Sequence, residues 1–416
     1  MQIHKAYMKV RQRAKSQEKE EPQTPKPRAR TLPPDIQASF ADFDKAHGEG
    51  ILMRPGATVK FNVIPTGIFI LDFALLGGWP QGFVSMTYGY HSTAKSTIFL
   101  NGVREFQRKH DDKYVVWIDA EGLYDEEWAR MIGVDTHRII VARPEYGEQA
   151  VDILEHMIQQ PSVGLIVLDS IPACAPMKVL ENSAEDDTMA ALARLMGKMC
   201  SKITTRINAE RRKGHYVTIW NINQIRNKVG FVLGSPRHLP GGFQINHVPT
   251  TKVWLKLTKE VEGKDEFDNV VPDYNEQAFE IEKRKHGSSI NSGAFDLILN
   301  PKSKVRQGCV DNVDTTVAFA KKFGFIRGGG GNFSLLTEKL GYIENTRTGE
   351  RREKPHTKFA KLDDIKQFLY ENEEELATLQ RSIIAEQRVS KNLEALPPDG
   401  YLVSAIGRLV RLNRQG

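Results

Sequence analysis

The chain runs to 416 residues, 40% apolar and 26% charged, which is room for two or three domains and the composition of a folded, water-exposed protein. No apolar run approaches the roughly 18 residues that a membrane-spanning helix needs. Three scattered cysteines (Cys174, Cys200, Cys309) offer neither a metal-ligand spacing nor a disulfide framework, which points to a reducing compartment.

The net charge of +6 resides in the first thirty residues, where nine Lys/Arg face three Glu. Affinity for a polyanion must come from this arm or from local arrangement elsewhere. The arm has no apolar stretch behind its charges, so it does not read as a secretory signal. Residues 18–34 hold five prolines and almost no large apolar side chains, so 1–34 is predicted to be a disordered basic extension. Ile36, Phe40 and Phe43 then recur at the spacing of one helix face, stopped by Gly48 and Gly50.

Within 68–300, strand-length apolar runs at 83–88, 114–118, 138–142, 164–168 and 216–222 alternate with helix-length segments at 97–109, 125–132, 147–159 and 189–213. This pattern predicts an α/β fold with a mostly parallel sheet covered on both faces. Stretches near 252–258, 277–283 and 294–299 lack intervening helices and predict an antiparallel extension. Long loops are expected at 176–188 and 225–242. The expected division is 1–34 extension, 35–67 N-terminal segment, 68–300 core, 301–387 small mixed α/β domain with a turn at 328–331, and 388–416 basic tail.

The first chemical candidate is Gly89-Tyr90-His91-Ser92-Thr93-Ala94-Lys95-Ser96-Thr97, which follows one strand and opens a helix. In a phosphate-binding loop, backbone N–H groups surround the phosphates, a lysine neutralises the β/γ oxygens and a hydroxyl reaches Mg²⁺. Alanine stands at 94 where glycine is usual, and it is tolerated there if the residue has helical dihedrals. The bland reading is an ordinary strand–turn–helix connection. Asp169 ends the apolar run 165–168, where a carboxylate can hold Mg²⁺ or merely cap a helix. Glu121 follows another strand and is placed to activate a water, or simply starts a surface loop. Gln224 could sense a γ-phosphate or cap a turn. The loop behind it mixes Arg226, Lys228 and Arg237 with Val229 and Phe231, a blend suited to a single polynucleotide strand.

Read together, the segments GEGILMRPG (48–56), STAKST (92–97), WIDAE (117–121), GVD (133–135), GEQA (147–150), LDS (168–170), NQIR (223–226) and GG (241–242) resemble the RecA family of strand-exchange recombinases over about residues 35–333. The resemblance implies a RecA-like P-loop ATPase core, a short N-terminal polymerisation arm (36–60) packing on the adjacent subunit, and the small C-terminal domain. It further implies an ATP- and Mg²⁺-dependent enzyme that forms helical filaments on single-stranded DNA, pairs it with homologous duplex and hydrolyses ATP in response to DNA. Single-strand-binding and loader proteins are further candidate partners, in a bacterial cytoplasm or that of a phage host.

Carried over by position, Gly89 to Thr97 would cradle ATP, Ser96 and Asp169 would hold Mg²⁺, and Glu121 would be the catalytic base. Asp125 would contact adenine and Trp128 would stack on it, unless Trp128 is core packing. Lys283 and Lys285, on one face of a strand, would reach the neighbour's γ-phosphate. Met189, Arg194, Lys198, Arg226, Asn227, Lys228, Val229, Gly230, Phe231, Arg237, His238, Gly241 and Gly242 would line the DNA groove. Departures are Ala94, Ser201 at a family arginine (flanked by Lys198 and Lys202), Asn246 and His247 at an interface lysine and phenylalanine, and a basic rather than acidic end. A hexameric helicase on the same core, or a non-hydrolysing DNA-coating scaffold, are the competing readings; Glu121 and Gln224 argue against the scaffold.

Overall fold

A computed structural model describes residues 32–48, 52, 62–181, 185–227, 237–264, 268–285, 290–337, 342–344, 351–353 and 357–389; of these, 181, 185–188, 226–227, 237–238, 342–344, 351–353 and 389 are described by backbone alone. Most of the expected basic extension and tail, and the DNA candidates Lys228, Val229, Gly230 and Phe231, lie outside the described residues. Contacts divide the chain into two units, 1–58 and 59–416. In the first, the helix Pro34–His47 starts on a proline and buries none of its residues. Ile36 and Phe43 are exposed on it.

The second unit is built on eight strands: β1 (Val84–Gly89), β2 (Tyr114–Asp119), β3 (Ile139–Ala142), β4 (Val163–Asp169), β5 (Thr218–Gln224), β6 (Thr251–Lys264), β7 (Val270–Lys283) and β8 (Ser292–Ile298). Their order across the sheet is β8-β7-β6-β1-β5-β4-β2-β3. Pairing is parallel from β6 through β3 and antiparallel for β6–β7 and β7–β8. Central strands β1, β4 and β5 are buried almost end to end, as parallel strands covered on both faces must be.

Side chains alternate across the sheet and feed two cores. On one face Trp117, Val167 and Trp220 pack with Phe99, Val103 and Phe106 of the helix Lys95–Lys109. Phe99 stacks on Trp220 with centroids 5.0 Å apart. On the other, Met86, Ile118, Ile166 and Ile219 meet the helices Gly147–Ile158 and Glu185–Arg212. A third core joins Phe69 and Phe73 to the C-terminal helices Val313–Phe323, Leu362–Glu371 and Glu373–Val389.

The structure departs from the expected elements in three places. The β6–β7 hairpin is twice the expected length, with 14 residues in each strand. Beyond the sheet its two strands pair only with each other; the outer half of β6 is charged and mostly exposed, that of β7 mostly half-buried. Segment 176–188 is not one loop: it holds a short helix, Met177–Glu181, and the next helix already begins at Glu185. Glu185, Asp186 and Asp187 thus lie in the first turn of that helix. Lys283 closes β7 and Lys285 lies past its end, so the two lysines do not share a strand face.

His110 follows the helix Lys95–Lys109 with its ring 4.7 Å from Phe106. Burial, reinforced by Lys109, pushes its imidazole down to about 4 from 6.5. Between those values the unfolded chain binds the extra proton, so this contribution to stability is present above pH 6.5 and fades as pH falls towards 4. Urea unfolding of wild type and His110→Gln should differ by a constant above pH 6.5, with wild type losing ground below it.

Candidate functional site

Strand register assembles the site. Gly89 pairs with Gln224 across β1–β5, and Asp119 pairs with Asp169 across β2–β4. The C-terminal ends of four adjacent parallel strands therefore gather at one edge of the sheet, with β1 and β5 reaching two residues beyond β4 and β2, the crevice where α/β sheets bind ligands. Segment 89–97 leaves β1 and enters the helix Lys95–Lys109, as the loop reading requires. Gly89 must be glycine, because a Cβ there would sit 2.6 Å from the Leu255 carbonyl oxygen and the Thr93 hydroxyl.

Lys95 is 8% exposed, and its ammonium folds back to donate to the Tyr90 carbonyl at 2.6 Å and to Thr93 Oγ1 at 3.4 Å. Burial lowers its pKa, opposed by Asp169 and Glu121. Ser96 Oγ donates to Asp169 Oδ2 at 2.7 Å. Asp169 keeps an accessible edge, yet atoms crowd it on most sides, and that burial pushes its carboxyl up to about 7 against the Ser96 hydrogen bond.

Glu121 Oε1 accepts from Gln224 Nε2 at 2.7 Å. The Ser170 hydroxyl donates to the same oxygen. Below them, Asp119 is buried at the end of β2 and accepts from the Leu123 and Tyr124 amides at 2.9 and 3.1 Å and from Arg143 Nε at 3.2 Å. Asp119 thus ties down the turn that carries Glu121. Ser170, Asp119 and Arg143 were not candidates from the sequence. Asp119, ending an apolar strand just as Asp169 does, was the one with a readable signal.

Asp125 caps the helix Glu126–Ile132 by accepting the Trp128 amide at 3.0 Å. Trp128 is half-buried against the first core, and its indole N–H donates to Thr97 Oγ1 at 3.2 Å. Lys283 donates to the His247 carbonyl, and Lys285 sits 5.9 Å from the Phe83 ring centroid.

Of the DNA candidates, Met189, Arg194 and Lys198 are exposed along the helix Glu185–Arg212. Gly242, at φ +79, would place a Cβ 2.8 Å from that of Ala193, so only glycine lets the loop end seat against this helix. Arg226–Asn227 and Arg237–His238 form a two-residue antiparallel ladder at the base of the loop, and their side chains lie outside the description. Ala94 corrects an expectation: it adopts φ 54, ψ 27, left-handed rather than helical. A residue with a Cβ there costs roughly 1–2 kcal/mol.

Parallel topology, the loop after the first long strand and the oxygen ligands at the next strand ends define a P-loop ATPase core. The RecA N-terminal domain family matches residues 34–299. The chain is 31% identical over 310 residues to Protein RecA of Chlorobaculum tepidum (74% of this chain, 84% of that one). It is 33% identical over 309 residues to Protein RecA of Mycobacteroides abscessus (74% and 84%), and 32% identical over 317 residues to that of Arthrobacter sp. (75% and 85%). The chain belongs to the RecA family.

Replacing Ala94 with glycine should relieve the left-handed strain, offset in part by glycine's freedom in the unfolded chain. A gain of up to about 1 kcal/mol in urea unfolding is expected; a loss of stability would mean that the strain is absent in solution.

Proposed function

We propose that this chain is an ATP-dependent recombinase that forms helical filaments on single-stranded DNA and pairs that strand with homologous duplex, with ATP turnover stimulated by DNA. The observation that carries this reading is the convergence of Lys95, Ser96, Glu121, Asp169 and Gln224 at the C-terminal ends of adjacent parallel strands. The nucleotide assigned to the loop is ATP. Lys95 exchanges the Tyr90 carbonyl for phosphate oxygens, and the amides opening the helix Lys95–Lys109 face the same charge.

Among the described residues, no cluster of three or more His, Cys, Asp or Glu could hold a metal by itself. The paired oxygens of Ser96 and Asp169 nonetheless suit Mg²⁺, which takes few protein ligands and completes its shell with phosphate and water. When bound, the ion would neutralise charge developing on the phosphates. It would also supply Asp169 with the positive partner that burial now makes it lack.

Glu121 would orient and activate the attacking water. Ser170 and Gln224 both occupy one of its oxygens, leaving Oε2 to face the water. A γ-phosphate would draw Gln224 off Glu121. Because Gln224 is followed directly by the loop that ends at Gly241–Gly242, that movement would reach the exposed Arg194–Lys198 face. Met189, Arg194, Lys198 and the loop termini are the proposed strand-binding surface. The helix Pro34–His47, with Ile36 and Phe43 bare, is the proposed contact on an adjacent copy. Lys283 and Lys285 remain candidates for reaching a neighbour's nucleotide from different backbone settings.

Single-stranded DNA should stimulate ATP turnover, and Lys95→Ala should lower kcat at least 100-fold; turnover indifferent to DNA would sink the reading. Electron microscopy with DNA and a slowly hydrolysed ATP analogue should reveal helical filaments, where closed rings would favour a helicase. Ser170→Ala should cut kcat about tenfold while KM stays within twofold, since only the aim of Glu121 changes. Equal loss in both constants would assign Ser170 to binding instead.

A further inference from the structure

A cavity of about 180 Å³ opens away from the nucleotide crevice, where the helix Lys95–Lys109 meets the C-terminal helices. Four cations, Arg104, Arg108, Lys304 and Arg306, line it against one carboxylate, Glu373. Three of the cations are already engaged. Arg104 donates to Cys309 Sγ at 2.8 Å and pairs with Glu105 at 2.9 Å. Arg108 bridges Glu105 at 3.3 Å and Glu373 at 2.9 Å. Lys304 donates to Gln367 Oε1 at 2.8 Å. The Arg306 guanidinium has neither hydrogen bond nor ion pair among the described residues.

Glu373 is outnumbered. The Arg108 hydrogen bond, with Arg104 and Arg306 behind it, holds its carboxyl below the ordinary range. Excess positive charge on the wall of a cleft draws anions, with a pull screened by salt because Arg108, Lys304 and Arg306 reach solvent. Guanidinium forks match phosphate oxygens two at a time. Size then selects the ligand: a cavity of about 150 Å³ holds a benzene molecule, whereas drug-sized ligands occupy roughly 300 Å³ or more. There is room for one or two phosphate groups, with no space for a nucleoside.

We propose that this seam is a binding site for a compact phosphate oxyanion, of orthophosphate or pyrophosphate size, held by Arg306 and Arg108 in competition with Glu373. Occupancy takes Arg108 away from Glu373 and so loosens the tie between the helix that begins at Lys95 and the helix that begins at Glu373. An anion would thereby adjust how firmly the C-terminal helices are fastened to the ATPase core.

The test must silence the phosphate loop, so it uses the full chain carrying Lys95→Ala, titrated calorimetrically at fixed ionic strength with inorganic pyrophosphate and, separately, orthophosphate. Saturable binding is expected for at least one of them, weakened tenfold or more by adding Arg306→Glu. Arg306 is exposed, so that change should leave the fold intact, which circular dichroism checks. Adding Glu373→Gln instead should tighten binding severalfold by removing the competitor. Absence of saturable binding in the Lys95→Ala protein, or affinity unmoved by Arg306→Glu, or weakened by Glu373→Gln, would overturn the proposal. None of these outcomes bears on the nucleotide reading, which Lys95→Ala tests separately.

Discussion

Parallel pairing of β1, β5, β4 and β2 sets Gly89 beside Gln224 and Asp169 beside Asp119, the first pair two residues farther along than the second, and each catalytic candidate hangs from these strand ends. A slip of one residue in any of these strands would turn its side chains to the opposite face. The register is secured by burial on both faces: Trp117, Val167 and Trp220 fit one core, Ile118, Ile166 and Ile219 the other. A strand wedged between two packed layers cannot slide without opening both. The precision of the site is therefore inherited from apolar packing.

Electrostatics within the crevice follow from the same geometry. Burying Lys95 lowers its pKa and burying Asp169 raises its own, so each group is displaced towards its neutral form. Both displacements would diminish with a phosphate against the lysine and a cation against the carboxylate, the physical sense in which the site would suit the proposed nucleotide and metal. Glu121 differs. It is held by two neutral donors, Ser170 and Gln224, and one of them belongs to the strand that leads into the DNA loop. Glu121 and the strand that leads into the 225–242 loop are thus linked by a single hydrogen bond.

Much of the site was legible in order along the chain. Lys95 and Ser96 sit in a local pattern, and Asp169 and Glu121 each follow an apolar strand, so their chemistry depends on neighbours in sequence. The condition under which alanine fits at 94, helical dihedrals, is not met, because those dihedrals are set by how the turn enters the helix, a quantity that composition does not carry. Lys283 and Lys285 were expected on one face from their spacing alone, although the strand stops at Lys283. Ser170, Asp119 and Arg143 acquire their roles only from partners 49, 4 and 24 residues distant.

The sequence by itself determined the alternation of strands and helices, the phosphate loop and the acidic strand ends, because these rest on periodicity and on contacts a few residues apart. Only the tertiary structure decided that Ser170 and Gln224 share one oxygen of Glu121, that Gly242 seats on Ala193, and that arginines from the core outnumber Glu373 at the C-terminal seam. Those arrangements depend on strand order and helix docking, which are set by the summed packing of residues hundreds of positions apart.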